Sequence, residues 1–110
     1  MKRISLGGTS WFDYDSAITF DEDSNWDGRN HISKATGSQW DHETLLFTRK
    51  GKWVLNSYGS SCGQYDDYTV ISEAKAIEWI VQNNRVDELV DPLPSEVSER
   101  IKKAVTDLEV

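Results

Sequence analysis

Two runs of β-forming residues, residues 44–49 (TLLFTR) and 52–58 (KWVLNSY), stand on either side of Lys50-Gly51. Branched and aromatic side chains suit a pleated strand, and a Gly-containing turn folds two such runs back on each other, so the pair reads as an antiparallel hairpin. Alternation puts Trp53, Leu55 and Ser57 on one face and Val54 and Tyr58 on the other. Neither face is cleanly polar, which predicts a hairpin in the middle of a sheet. Residues 59–67 (GSSCGQYDD) read as a long turn and residues 68–71 (YTVI) as a third strand.

Beyond residue 71 the apolar period changes from that of a strand to that of a helix. Ser72 is a good N-cap, and Glu73 suits the positive end of a helix that runs to about Asn84. Its apolar stripe is Ala74, Ile77, Ile80 and Val81 with Trp79 at the edge, and Asn83-Asn84 is the stop signal. Residues 91–94, Asp91-Pro92-Leu93-Pro94, form a rigid linker because two prolines cannot continue a helix. Ser95 then caps a last helix, in which Val97, Ile101, Ala104, Val105 and Leu108 share one face. That stripe needs cover from the sheet, from the preceding helix or from a second copy of the chain, the last making a homo-oligomer through the C-terminal helix. Upstream, residues 4–6 suggest an edge strand and residues 17–20 a strand or one helical turn. The expectation is one α+β domain over residues 1–110, with an antiparallel sheet of three to five strands and two C-terminal helices packed on it.

Charge narrows the partners. The net charge is −7 and the isoelectric point about 4.7, so a bare phosphate backbone is repelled and direct nucleic-acid binding is not expected. Arg49, Lys50 and Lys52 are the one basic cluster, and they read as a solvated turn. No stretch approaches the roughly 18 apolar residues of a membrane span. The first residues, MKRISLGG, have no apolar run of the signal-peptide kind. A single cysteine, Cys62, excludes an intrachain disulfide and favours a reducing compartment, so the expected location is the cytoplasm.

Several segments offer fragments of chemistry. In DSNWDGRNHISK, residues 23–34, Asp23, Asn25, Asp27 and Gly28 match four positions of a calcium loop. Lys34 stands where a bidentate Glu is needed, so an acidic Asp-Gly turn is the simpler expectation and calcium the alternative. His31 and His42, with Asp41 or Glu43, lack the short spacing of a zinc site. Cys62, in GSSCG, has neither a base nor an orienting group at a recognisable spacing, and Ser60 and Ser61 lack a GxSxG context. Gly7-Gly8-Thr9-Ser10 lacks the Lys of a phosphate loop. No catalytic residue, metal or cofactor is expected. What remains is an acidic run, Asp13, Asp15, Asp21, Glu22, Asp23 and Asp27, and an excess of tryptophan. Trp11, Trp26 and Trp40 lie in polar, turn-rich sequence, where exposed rings mark contact sites.

The segments Trp11-Phe12-Asp13, Trp26-Asp27-Gly28, Asn30-His31-Ile32-Ser33, Thr36-Gly37-Ser38-Gln39-Trp40 and His42-Glu43-Thr44-Leu45 resemble a family of small bacterial proteins without an assigned activity. Gly51-Lys52-Trp53-Val54-Leu55, Ile71-Ser72 and Ala76-Ile77-Glu78-Trp79-Ile80 are similar to its second half, so the resemblance covers residues 11–84. Such proteins belong to the accessory genome of phages, plasmids and integron cassettes. The resemblance implies a polar-aromatic cluster of Asn30, His31, Thr36, Trp40, His42 and Glu43. With Trp26 and the acidic run, this is the expected contact surface of a non-catalytic module that binds another protein. Two alternatives stand beside it: an acidic mimic of DNA that blocks a nucleic-acid enzyme, and a small-ligand binder or enzyme that uses His31, His42 and Glu43.

Overall fold

A computed structural model describes residues 1–61, 63–89 (Leu89 by its backbone alone) and 92–110. The hairpin read from the sequence is the centre of the molecule. Strand β6 (Asp41–Phe47) pairs antiparallel with β7 (Trp53–Gly59), from Asp41 opposite Gly59 to Phe47 opposite Trp53. Strand β3 (Ile18–Asp21) flanks β6, and β8 (Tyr65–Ile71) flanks β7, giving a four-stranded antiparallel sheet in the order β3-β6-β7-β8. Of the residues 17–20 expected as a strand or a helical turn, residues 18–20 thus lie in a strand.

Strand β8 begins at Tyr65 and not at Tyr68, so residues 65–67 belong to the strand and not to the expected long turn. Its first residues are polar, which hides the strand from a β-propensity reading. A side-chain clamp keeps them in the ladder: the Asn56 amide donates to the Asp66 carboxylate at 2.6 Å and to the Asp67 carbonyl at 3.1 Å. The strand expected at residues 4–6 is not on the edge of this sheet. It lies in β1 (Arg3–Gly7), which forms a separate hairpin with β2 (Ser10–Asp13). A second small hairpin joins β4 (Ser24–Trp26) to β5 (His31–Ser33).

Both faces of the sheet are covered, but unequally. On one, Phe20, Leu45, Phe47 and Trp53 pack against Ala76, Ile77, Trp79 and Ile80 of α1 (Glu73–Gln82) and Ile101 of α2 (Ser95–Asp107). On the other, Leu46 and Val54 meet Phe12, with Ile4, Leu6 and Tyr68 around them. The N-terminal hairpin covers only the half of this face next to the β6–β7 turn. The uncovered half is where the candidate site lies.

Ser72 caps α1 as expected, accepting the Lys75 N–H. The buried stripe of α1 is rotated from the expected one, because Ala74 and Val81 are exposed while Ala76 and Trp79 are buried. The Trp79 indole N–H reaches the Glu43 carboxylate at 3.2 Å, which draws the ring inward. The helix stops at Asn83, and Asn84 takes the left-handed backbone conformation (φ 56°) in which Asn is tolerated. Ser95 is the first residue of α2 and not its cap. The Pro94 carbonyl already accepts the Ser98 N–H at 2.9 Å, which makes Pro94 the cap, with no side-chain bond. The stripe of α2 is buried within the chain through Ile101, with Val97, Ala104 and Val105 beside it and Leu108 exposed. The proposed linker includes Asp91, which lies outside the described residues. Among the described residues no helix is long and apolar enough to cross a membrane.

Candidate functional site: an aromatic cleft on the open sheet face

Alternation along the central strands builds the site. Next to the turn, the outer face carries Leu46 and Val54. Farther along the same strands it carries Thr44 and His42 on β6, then Asn56 and Tyr58 on β7, with Asp66 on β8. The floor of the face therefore changes from aliphatic to polar-aromatic where the N-terminal hairpin ends. The result is an open cleft of about 900 Å³, walled by Tyr14, Trp40 and Tyr65 and edged by Asp21. Its lining residues include two carboxylates, Asp21 and Asp66, and no Lys or Arg.

Trp40 is presented by a rigid polar loop. The Ser33 hydroxyl accepts the N–H groups of Ala35 and Thr36, and the Thr36 hydroxyl donates to the Asp41 carbonyl at 2.7 Å. The Ser38 hydroxyl accepts the N–H groups of Trp40 (3.0 Å) and Asp41 (3.2 Å), and the Trp40 carbonyl accepts the Ser60 N–H. The backbone of Trp40 is fixed while the residue stays 58% exposed. Beneath it, the Asp41 carboxylate accepts the Ser61 hydroxyl at 2.7 Å and the Tyr65 hydroxyl at 2.8 Å, and these bonds hold its pKa below the ordinary carboxylate value. The His42 ring lies 5.6 Å from that of Tyr58, and its Nδ1 is 2.8 Å from a Glu22 carboxylate oxygen whose twin accepts the Glu43 N–H.

The residues expected to form one surface are divided among three places. Trp40 and His42 line the cleft. Glu43, one residue on, projects to the helix side and bonds Trp79; burial raises its pKa, Trp79 opposes this and the charge of Glu22 adds to it. Trp26 and His31 face each other across the β4–β5 hairpin with ring centroids 5.1 Å apart, and Trp26 is 61% exposed. Asn30 belongs to the turn of that hairpin, and Thr36 is a structural cap within the Trp40 loop. His31 and His42 thus serve different strand pairs.

The acidic run does not form a continuous strip either. Asp13 is buried, not on the surface, and accepts the N–H groups of Lys2 and Asp15 and the Ser16 hydroxyl. Asp15 faces the N-terminal ammonium, Asp23 pairs with Lys34 at 2.8 Å, and Glu22 holds His42. The Asp27 carboxylate accepts the N–H groups of Arg29 and Asn30 and shapes their turn. Only Asp21 joins the cleft. The calcium-like segment is accordingly a β-hairpin whose Asp23 is matched by the Lys34 ammonium. Among the described residues no group of three or more His, Cys, Asp or Glu side chains is placed to hold a metal ion. The Cys62 expectation lies outside the described residues.

Tyr14, Asn56, Tyr58, Tyr65 and Asp66 were not among the residues expected at the site. The signal for two of them was present: Asn56 and Tyr58 share a face by simple alternation with Val54. Fold and cleft together define an α+β protein with one sheet face sealed by helices and the other left partly open. No family model matches the chain, and neither a curated protein nor a solved structure is detectably similar to it.

Proposed function

We propose that this chain is a non-catalytic recognition module that grips a basic segment of a partner protein in the aromatic cleft. One observation carries the reading: a fixed, solvent-exposed Trp40 stands over a cleft lined by tyrosines and two carboxylates, with no Lys or Arg among its described lining residues. Exposed aromatic rings held on a rigid backbone lose little conformational entropy on binding and are the usual anchors of protein contacts. Ring faces and carboxylates together attract guanidinium and ammonium groups. The phosphate-mimic alternative has less support, because most carboxylates of the acidic run are engaged inside the chain. The resemblance of residues 11–84 to accessory-genome proteins gives this module its proposed setting, regulation by a mobile element.

The test is affinity capture with the full chain, followed by binding measurements on the captured partner. Trp40→Ala should abolish capture, and Asp21→Asn should weaken it and reduce its salt dependence. Trp26→Ala, on the other hairpin, should leave it intact. A partner retained equally by wild type and Trp40→Ala would overturn the reading.

A further inference from the structure

We propose that a second pocket, between the N-terminal hairpin and the β6–β7 turn, binds a free nucleoside phosphate. It has a volume of about 400 Å³, within the range of small-molecule sites, and lies at the other end of the sheet face from the cleft. Leu6, Trp11 and Phe12 supply an apolar and aromatic wall; Arg49, Lys50 and Lys52 supply the other. These three cations are exposed, and none forms a salt bridge to a carboxylate among the described residues.

The basic turn is also preorganised. The Thr48 side chain accepts the Lys52 N–H at 3.1 Å, its carbonyl accepts the Gly51 N–H at 2.9 Å, and its own N–H donates to the Lys52 carbonyl at 2.8 Å. Gly51 adopts φ 82°, which completes the turn without strain. The cations are therefore held on a fixed loop beside the aromatic wall. Outside the lining, the Arg3 guanidinium stands 4.6 Å from the centre of the Trp11 ring, and Trp11 remains 42% exposed. The one carboxylate on the pocket wall, Asp13, is buried, and both its oxygens accept hydrogen bonds from Lys2, Asp15 and Ser16. Its negative charge is set against the three cations of the turn, which outnumber it.

Cations carried on this turn attract phosphate oxygens, and an exposed indole beside apolar side chains offers a stacking surface for a base. The pocket holds one nucleotide, and the net charge of −7 opposes a long polyanion. The class that matches size, charge and ring is a mononucleotide carrying two or three phosphates.

The experiment is a calorimetric titration of the full chain, at low salt, with ATP, AMP, inorganic triphosphate and a short single-stranded oligonucleotide. Saturable ATP binding is expected, weaker for AMP and for triphosphate. Lys50→Glu combined with Lys52→Glu, both on an exposed turn, should weaken ATP at least tenfold without altering the circular dichroism. Trp11→Ala should weaken it and Trp11→Phe restore most of it. Trp40→Ala should leave it unchanged, which separates this result from the fate of the cleft. Absence of saturable binding, indifference to the charge reversals, triphosphate binding as tightly as ATP, or an oligonucleotide binding more tightly than ATP would each overturn the proposal.

Discussion

Glu43 and Asp23 are both carboxylates near the end of α1, and the fold treats them in opposite ways. Burial raises the pKa of Glu43, with the Trp79 N–H pulling it down and Glu22 pushing it up. A carboxyl with a raised folded-state pKa favours the fold when protonated. Its contribution is fully present below the ordinary value of 4.5 and is lost as pH rises through the raised one. Glu43→Gln keeps an acceptor for Trp79 and removes the charge. It should melt higher than wild type at neutral pH, by no more than about 1 kcal/mol because the side chain is only half-buried. The two melting curves should converge in acid. Asp23 has the opposite sign: the Lys34 ammonium, then the Asn84 amide and its own turn N–H hold its pKa down to about 2. Its contribution is present above the ordinary value of 3.8 and is lost as pH falls through about 2. Asp23→Asn should therefore melt lower than wild type at neutral pH and converge with it only near pH 2. Thermal melts of both variants across an acid series test the two signs together.

At the scale of elements, the start of β6 depends on Gly59 in β7. A Cβ at Gly59 would stand 2.5 Å from the Trp40 carbonyl oxygen and 2.8 Å from the Asp41 Cα, both backbone atoms that cannot swing aside. Only a glycine lets the strands close here, and the same contact sets the height of Trp40 over the cleft. Gly59→Ala should cost about 1–3 kcal/mol in urea unfolding. It should also shift the Trp40 indole resonance more than those of Trp53 and Trp79. The strands nearest this contact differ in how readable they were. β6, β7 and both helices were legible because their apolar residues repeat at the strand or helix period and a Gly, Asn or Pro marks one end of each. The first half of β8 was not, since Tyr65, Asp66 and Asp67 are held by the amide of Asn56 and not by a hydrophobic pattern. Nor was the β4–β5 hairpin, whose Asp27 turn looks like a cation loop until its carboxylate is seen to accept main-chain N–H groups. The cleft was half legible. Trp40 and His42 stood out as residue types, but their neighbours come from four other elements, and register across a sheet, not spacing along a chain, brings them together.

The whole molecule is a slab of 42 × 40 × 20 Å, with thin cover over each face of one sheet. A slab this thin has an unequal distribution of stability, greatest in the central pair β6–β7 and least in the small hairpins outside the sheet. The β4–β5 hairpin shows why. Its three-residue strands are exposed except at Ile32 and Ser33, so apolar burial holds it weakly. Polar ties to the end of α1 do most of the holding. The buried Asn83 side chain accepts the Asp23 N–H at 3.0 Å and donates to the Trp79 carbonyl at 2.9 Å. Arg85 donates to the carbonyls of Asp21 and Glu22, and Gln82 to that of Lys34. Asn83→Ala removes the first tie and leaves the Asp23 N–H without its acceptor, a loss of about 1–3 kcal/mol. If the hairpin is a separate cooperative unit, that loss falls on it first. Native-state hydrogen exchange should show the amides of residues 24–33 exchanging faster by roughly one to two orders of magnitude, the equivalent of that energy. The amides of β6 and β7, which open only with the whole fold, should accelerate just as far as global stability falls. Because residues 34–40 run directly from this hairpin to Trp40, loosening it should also broaden the Trp40 indole resonance. Equal acceleration in both regions at every denaturant concentration would mean that hairpin and sheet unfold as one body, and that the polar ties to α1 are part of a single cooperative core.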